Sequence, residues 1–384
     1  MINVLVAGLG AAGSATLFHL ARAGVRAVGI DPWAPPHTRG STHGASRIHR
    51  RAYMEGVLYL PLLARADALW EELESVSGRT LLRRTGALML GPSDGTLVPE
   101  SLRSAEEGDL PVELLDRGDL RRHYPALDVP DGMVGLLEPG GGALDPEACV
   151  AAHLAGAAEA KAEIRTGEEL LDWEESGGGI RVRTRTGAFE VDHLVLAMGP
   201  WLPGVLRRWS EESGCPARHE EHSLPKLDVE RQVTGHFRWN AGSAPELPVL
   251  LLDRGEEPLL YAVPEIDGTL KAALHHGGAQ AADHAELEDE PSKEDEAQVS
   301  VPLRGLLPGI APGWSGTTVC YYTNAPGGRW LVGPLPGAQR VTVASACSGH
   351  GFKASSAVGE GAAALVRGVD PPVFLAPFAL DLPA

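Results

Sequence analysis

The chain has 384 residues, 43% of them hydrophobic and 22% charged, the balance of a globular protein large enough for two domains or one elaborate one. Its 51 Asp and Glu against 33 Lys and Arg give a net charge of −18. That argues against general nucleic-acid binding and requires that any anionic ligand be held by local cations. No stretch approaches the ~18 apolar residues of a membrane span.

Ile2 to Ala7 forms an unbroken apolar run, as expected of a parallel strand buried on both faces. It has no basic leader, so it reads as a first strand and not as a signal peptide. Ala11 to Ala23 follows as a helix, with Leu17, Leu20, Ala21 and Gly24 on one stripe. Ala27 to Asp31 is the next strand, which completes a βαβ unit. Val57 to Leu73 reads as an amphipathic helix. Thr85 to Gly91 and the stretch on to Gly142 read as strands and turns of a different layer. Pro146 to Ala160 is helical, with Asp145 as its cap and Pro146 in its first turn. Ile180 to Arg185 alternates, and Val191 to Met198 is a buried strand that ends at Gly199. Between Val229 and His276 the patterning favours strands. Glu286 to Glu296, rich in carboxylates, reads as a solvated turn and helix face. Val341 to Ala346 is a late strand, followed by a glycine-rich turn and a helix from Ser355 to Val366.

These elements define an α/β protein with an α+β insert. Residues 1–84, 143–218 and 325–384 are expected to form a Rossmann-type nucleotide-binding domain made of discontinuous segments. Residues 85–142 and 219–324 would form an inserted antiparallel β-sheet domain that binds substrate.

Gly8, Gly10 and Gly13 lie between the first strand and its helix. That order suits a tight turn, a close approach of backbone to a pyrophosphate, and close packing of helix on strand, with the helix N-terminus drawing the phosphates. Asp31, 18 residues after Gly13, can accept hydrogen bonds from ribose hydroxyls. The unit predicts a bound dinucleotide without separating FAD from NAD.

Four cysteines, Cys149, Cys215, Cys320 and Cys347, form no CxxC pair and no disulfide framework, which fits a reducing cytoplasm. His219 and His222 lack the spacing of a zinc-binding HExxH helix, and no nucleophile elbow or Walker loop is present. His275 and His276 would point to opposite faces of a strand, which disfavours a shared metal. No metal site is expected.

Longer phrases carry a family resemblance: Pro35-Pro36-His37-Thr38, the run from Gly40 to Arg50, Arg231-Gln232-Val233, Val319 to Asn324, and Ser348 to Glu360. In this order, nearly end to end, the chain resembles the monomeric sarcosine oxidase and N-methyltryptophan oxidase group of D-amino-acid-oxidase-like flavoproteins. The resemblance implies FAD, attached covalently through Cys320. It places Ser41, Thr42, Leu170, Gly199, Gly349, His350, Gly351 and Phe352 at the cofactor. It makes Arg50 and Lys353 the clamp for a substrate carboxylate. Arg47 and His43 would lie beside the flavin, Lys271 would be the cation that promotes reaction with O2, and Tyr261 and His275 would line the substrate cavity.

The implied reaction oxidises the C–N bond of a secondary amino acid to an imine and reduces O2 to H2O2. The implied partners are a small amine bearing a carboxylate and O2, and the implied assembly is a monomer. Two alternatives stand beside it: an FAD enzyme of primary or cyclic amino acids, and a non-catalytic FAD-binding subunit. One departure stands out. Ala325 to Gly333 is glycine-rich and lacks the family's acidic residue, which predicts a substrate larger or more specialised than sarcosine.

Overall fold

The computed structural model describes residues 3–212, 224–240, 244–345, 347–373 and 375–380; Cys215, His219 and His222 lie outside the described residues. Six strands form one sheet in the order Leu331–Leu335, Ala338–Ser345, His193–Leu196, Asn3–Ala7, Arg26–Asp31 and Glu163–Thr166. All neighbours are parallel except the first pair. The apolar run of the first strand is buried on both faces, as expected. Val4 and Val6 pack with the helices Ala11–Arg22, Leu60–Ser77, Pro146–Glu159 and Ser355–Val366. Leu5 and Ala7 face the opposite way, toward Trp173, Ile180 and Val182 of a small antiparallel sheet and Leu202, Val205 and Leu206 of the helix Leu202–Glu212. The side-chain period of two thus feeds two separate cores from one strand.

A second large sheet runs Gln280–Ala281, Asp228–Phe237, Leu270–His275, Glu257–Pro264, Val249–Arg254, Ala87–Pro92, Met133–Glu138 and Glu113–Leu115, with Gly316–Asn324 paired to Asp228–Phe237. It is antiparallel except where Val249–Arg254 meets Ala87–Pro92, a parallel pair. That pair joins two stretches distant in the chain, so no hairpin sets its direction.

Three local expectations change. The stretch 85–142 contains the helices Leu97–Glu107 and Arg117–His123. The buried stripe of the former is Leu97, Val98, Ser101, Ser104 and Ala105, so serine and alanine carry the helical spacing and an apolar count passes over it. The acidic stretch is more than a solvated face. The helix Lys293–Leu306 is capped by Ser292 with Asp295 in a reciprocal box, and the buried Arg231 donates to the carbonyls of Glu288 and Glu290 and to the Asp295 carboxylate. Finally, the strand Leu270–His275 ends at His275, and His276 takes a φ of +66°. That left-handed turn brings the two imidazoles together at 4.3 Å between ring centroids instead of on opposite faces.

Helix Ser355–Val366 lies on helix Ala11–Arg22 at Gly359, where an added Cβ would sit 2.4 Å from the Cβ of Ala15. Gly359→Ala is therefore expected to force the two helices apart, cost about 1–3 kcal/mol and lower the thermal midpoint. Gly305→Ala meets open space and should hold or raise stability by about 0.5–1 kcal/mol. Calorimetry of the two variants checks the contrast.

Candidate active site

The turn after the first strand is shaped for close approach. Gly8 has a φ of +88°, and a Cβ on Gly13 would lie 1.8 Å from the Gly8 carbonyl oxygen. Gly13 thus seats helix on strand and lies outside the cavity that Gly8 and Gly10 line. Helix Ala11–Arg22 has no side-chain cap of its own; the Ala11 N–H reaches Thr42 Oγ1 at 3.3 Å. The Asp31 carboxylate accepts from Leu9 N and Trp33 N, each at 2.9 Å. It braces the glycine turn, its Oδ1 also lies 3.3 Å from His37 Nε2, and Asp31 and His37 both line the same cavity. That cavity, about 320 Å³, is also lined by Ser41, Thr42, Leu170, Gly199, Gly351 and Phe352.

A second cavity of about 100 Å³ adjoins it, and Ser41, Arg47, Tyr322, Gly349 and Phe352 line both. One face of the large sheet builds its floor. Alternation puts Lys271 and His275 on the same side of their strand. Tyr261 lies across from Ala273, Leu259 across from His275, and Leu251 across from Tyr261. Cys320 and Tyr322 project from Gly316–Asn324, with Cys320 opposite Gln232. The roof is the segment that carries Ser46, Arg47 and Arg50, built around the short strand Arg47–His49, together with the turn from Gly349 to Lys353. A cavity cradled by glycines on the dinucleotide side and ending at a cysteine among cations suits a flavin dinucleotide: Gly8, Gly10, Asp31 and Thr42 would hold its phosphates and ribose, and Cys320 would face its ring.

The electrostatics are concentrated. Arg50 is 3% exposed. Its Nη2 reaches both carboxylate oxygens of Glu55, at 3.0 and 3.1 Å, its Nη1 donates to the Ala52 carbonyl at 2.6 Å, and the guanidinium lies 4.7 Å from the Tyr53 ring centroid. Lys353 Nζ lies 4.9 Å from the same ring and donates to the His350 carbonyl at 2.7 Å. Burial, then Arg50, lower the Lys353 pKa to about 7, with Glu55 and Glu138 opposing. Burial alone would raise the Glu55 pKa, but Arg50, with help from His350 and Lys353, holds it at about 2. Lys271 Nζ donates to the Ser46 carbonyl at 2.5 Å; burial and Arg47 lower its pKa to about 7 while Glu265 opposes. Burial, then His276, depress the His275 imidazole, so it is neutral. The Cys320 thiol is pushed up by burial and pulled back by Arg47 and Lys271.

Arg47, Arg50, Tyr261, Lys271, His275, Cys320, His350 and Lys353 therefore share one cavity. His350, expected at the cofactor, lines only this second cavity, because its ring is tied to the Tyr53 hydroxyl at 2.6 Å and the Gly328 carbonyl at 2.9 Å. His43 lines neither cavity. It is buried beside Arg47, and burial followed by that guanidinium lowers its pKa to about 4. Residues 325–333 also line neither cavity. This altered loop touches the site through the Gly328 and Arg329 carbonyls, which accept from His350 and Ser348, and through Trp330, packed on Tyr59 and His350. Sequence reasoning passed over Tyr53, Glu55 and Glu265. The last two are carboxylates that matter only because folding buries them next to cations. Glu55 alone carried a signal, five residues after Arg50.

The chain has recognisable relatives. A family profile described as "FAD dependent oxidoreductase" (DAO) matches residues 3–365, and the chain belongs to that family. It is 34% identical over 367 residues to a monomeric sarcosine oxidase of Streptomyces avermitilis, covering 93% of this chain and 91% of that protein. It is 32% identical over 380 residues to an N-methyl-L-tryptophan oxidase of Yersinia pestis, covering 98% of each. Among solved structures it is similar in fold to NikD, an unusual amino acid oxidase essential for nikkomycin biosynthesis (TM-score 0.86, 21% identity, 99% of this chain and 98% of that one). Glycine oxidase from Geobacillus kaustophilus is also similar (TM-score 0.79, 21% identity, 99% of each chain). The protein is thus an FAD-dependent oxidoreductase.

The lowered pKa of Lys353 has a consequence for stability. Between about 7 in the fold and its ordinary value of 10.5, the unfolded chain holds a proton that the folded chain has lost. Stability from this group therefore rises with pH across that window. Lys353→Met should remove the rise, so the gap in thermal midpoint between parent and variant should move in the parent's favour from pH 7 to pH 10. A gap that does not change with pH would show that Lys353 stays protonated in the fold.

Proposed function

We propose that this chain is an FAD-dependent oxidase of secondary, N-substituted α-amino acids, with residues 1–84, 143–218 and 325–384 holding the cofactor and 85–142 and 219–324 supplying the substrate side. The supporting observation is the meeting of Arg50, Lys353, Lys271 and Cys320 in one buried cavity at the end of the dinucleotide cavity. The curated relatives, named as sarcosine and N-methyl-L-tryptophan oxidases, act on compounds with a carboxylate and a secondary amine.

Arg50 and Lys353 provide the fixed donors that a carboxylate needs. An entering carboxylate competes with Glu55 for Arg50, so Glu55 sets how much of the clamp's attraction a substrate feels. Tyr261, Leu259 and Leu251 give the amine end a wall with few charges, and the neutral His275 adds no positive charge to repel it. When bound, FAD supplies the acceptor that takes a hydride equivalent from the carbon next to nitrogen and passes the electrons to O2 as H2O2. Lys271 holds a positive charge where negative charge builds on O2, the arrangement that lowers such a barrier most in a low-dielectric site. Cys320 is the group that attaches the flavin, with Arg47 and Lys271 favouring its thiolate.

Acid precipitation of the purified yellow protein tests the attachment: colour in the pellet is expected for the parent and colour in the supernatant for Cys320→Ser. A panel of N-methyl, cyclic and primary amino acids, read by anaerobic flavin bleaching and by peroxide release, tests the substrate class. Bleaching by no member would refute an amine oxidase. Arg50→Met should raise KM at least tenfold, whereas Glu55→Gln should tighten binding of simple carboxylates such as acetate. Lys271→Met should slow reoxidation far more than reduction; equal slowing of both half-reactions would remove the role given to Lys271.

A further inference from the structure

Glu265 opens the turn between the strands Glu257–Pro264 and Leu270–His275, with its N–H on the Thr269 carbonyl at 2.9 Å. A side chain in such a hairpin turn has every opportunity to face water, as Ile266 does at 84% exposed. Glu265 instead is 9% exposed and lines neither cavity. Its Oε1 accepts from Ser46 Oγ at 2.5 Å, and the carbonyl of the same Ser46 accepts from Lys271 Nζ at 2.5 Å. Ser46 thereby joins a buried carboxylate to a buried ammonium through its two oxygen atoms. The other carboxylate oxygen lies 3.5 Å from Arg83.

We propose that Glu265 is the counter-charge that keeps Lys271 protonated, acting across Ser46; this rests on reading Lys271 as the cation beside which O2 is reduced. The groups facing Lys271 explain why one is needed. Arg47 and His43 come from the roof segment, Arg83 from the strand Leu82–Arg83, His236 from the residue directly opposite on Asp228–Phe237, Tyr261 from the neighbouring strand, and Cys320 from Gly316–Asn324. Burial, Arg47 and Arg83 drive the proton off, and Glu265, followed by Cys320, opposes them. The resulting balance, a pKa of about 7, lies where one charge more or less changes the protonation state. Glu265 is thus a positioning residue for charge, one step removed from the reacting atoms.

The test is made on the purified flavoprotein. Stopped-flow reoxidation is followed against pH for the parent, Glu265→Gln, Glu265→Asp, Arg83→Met and Lys271→Met. Glu265→Gln should move the pH midpoint of reoxidation down by about one unit, a loss of about tenfold in rate above the midpoint, while anaerobic reduction keeps its rate. Glu265→Asp should keep the parental midpoint. Arg83→Met should move the midpoint up, because Arg83 repels the Lys271 charge; a downward shift would contradict this charge balance.

A double-mutant cycle on thermal stability with Glu265→Gln and Lys271→Met gives a readout independent of turnover. Coupling present at pH 6 and gone at pH 10 supports the pairing. No coupling at either pH, or an unmoved midpoint in Glu265→Gln, overturns it. If Lys271→Met reoxidises as fast as the parent, the reading of Lys271 fails, and the stability cycle alone then decides whether Glu265 holds its proton.

Discussion

Positive charge gathered in one low-dielectric pocket is the constraint around which the rest of the site is arranged. Arg47, Arg50, Lys271 and Lys353 surround a cavity of about 100 Å³. Two like charges 4 Å apart repel by about 4 kcal/mol even at an effective dielectric of ~20, and each must also give up hydration. The fold answers with counter-charges and carbonyls: Glu55 on Arg50, Glu265 behind Ser46, and the Ser41, Ser46, Ala52 and His350 carbonyls on the nearest donors. Two of the cations also lie against the Tyr53 ring, whose negative face eases their desolvation. The site thus carries local positive charge in a chain whose net charge is −18.

Supporting groups outside the cavity keep these side chains where they are. The Glu138 carboxylate accepts from the N–H groups of Arg51 and Ala52 and so pins the loop that carries Arg50. The Trp70 indole donates to the Lys353 carbonyl at 2.8 Å. Tyr53 Oη reaches His350, which the altered loop steadies from the other side through the Gly328 carbonyl. Each support comes from a different stretch of chain, so the cavity is a product of several elements docking and not of one motif.

Much of this was legible beforehand, for identifiable reasons. The glycine turn, Asp31 and the first βαβ unit are local: spacing along a few dozen residues carries the geometry. Arg50, Cys320 and Lys353 are legible within the long phrases that carry the resemblance, whereas Lys271 stands outside them and is legible only as a counterpart of the family's lysine. The helices at Leu97–Glu107 and Arg117–His123 were missed because their buried positions are partly serine, alanine and a single leucine. His276 was misplaced because nothing in a His-His pair announces a left-handed turn.

By itself the sequence determined the dinucleotide-binding class, the alternation that puts Lys271 and His275 on one sheet face, and the supply of cations near the expected flavin. Only the tertiary structure decided their electrical state. Whether an ammonium or a guanidinium is free, paired or half-deprotonated depends on burial and on charges such as Glu55, Glu265 and Arg83, and these become neighbours through register and packing across hundreds of residues. Coulomb energy and desolvation depend on distance in space, which sequence separation does not encode.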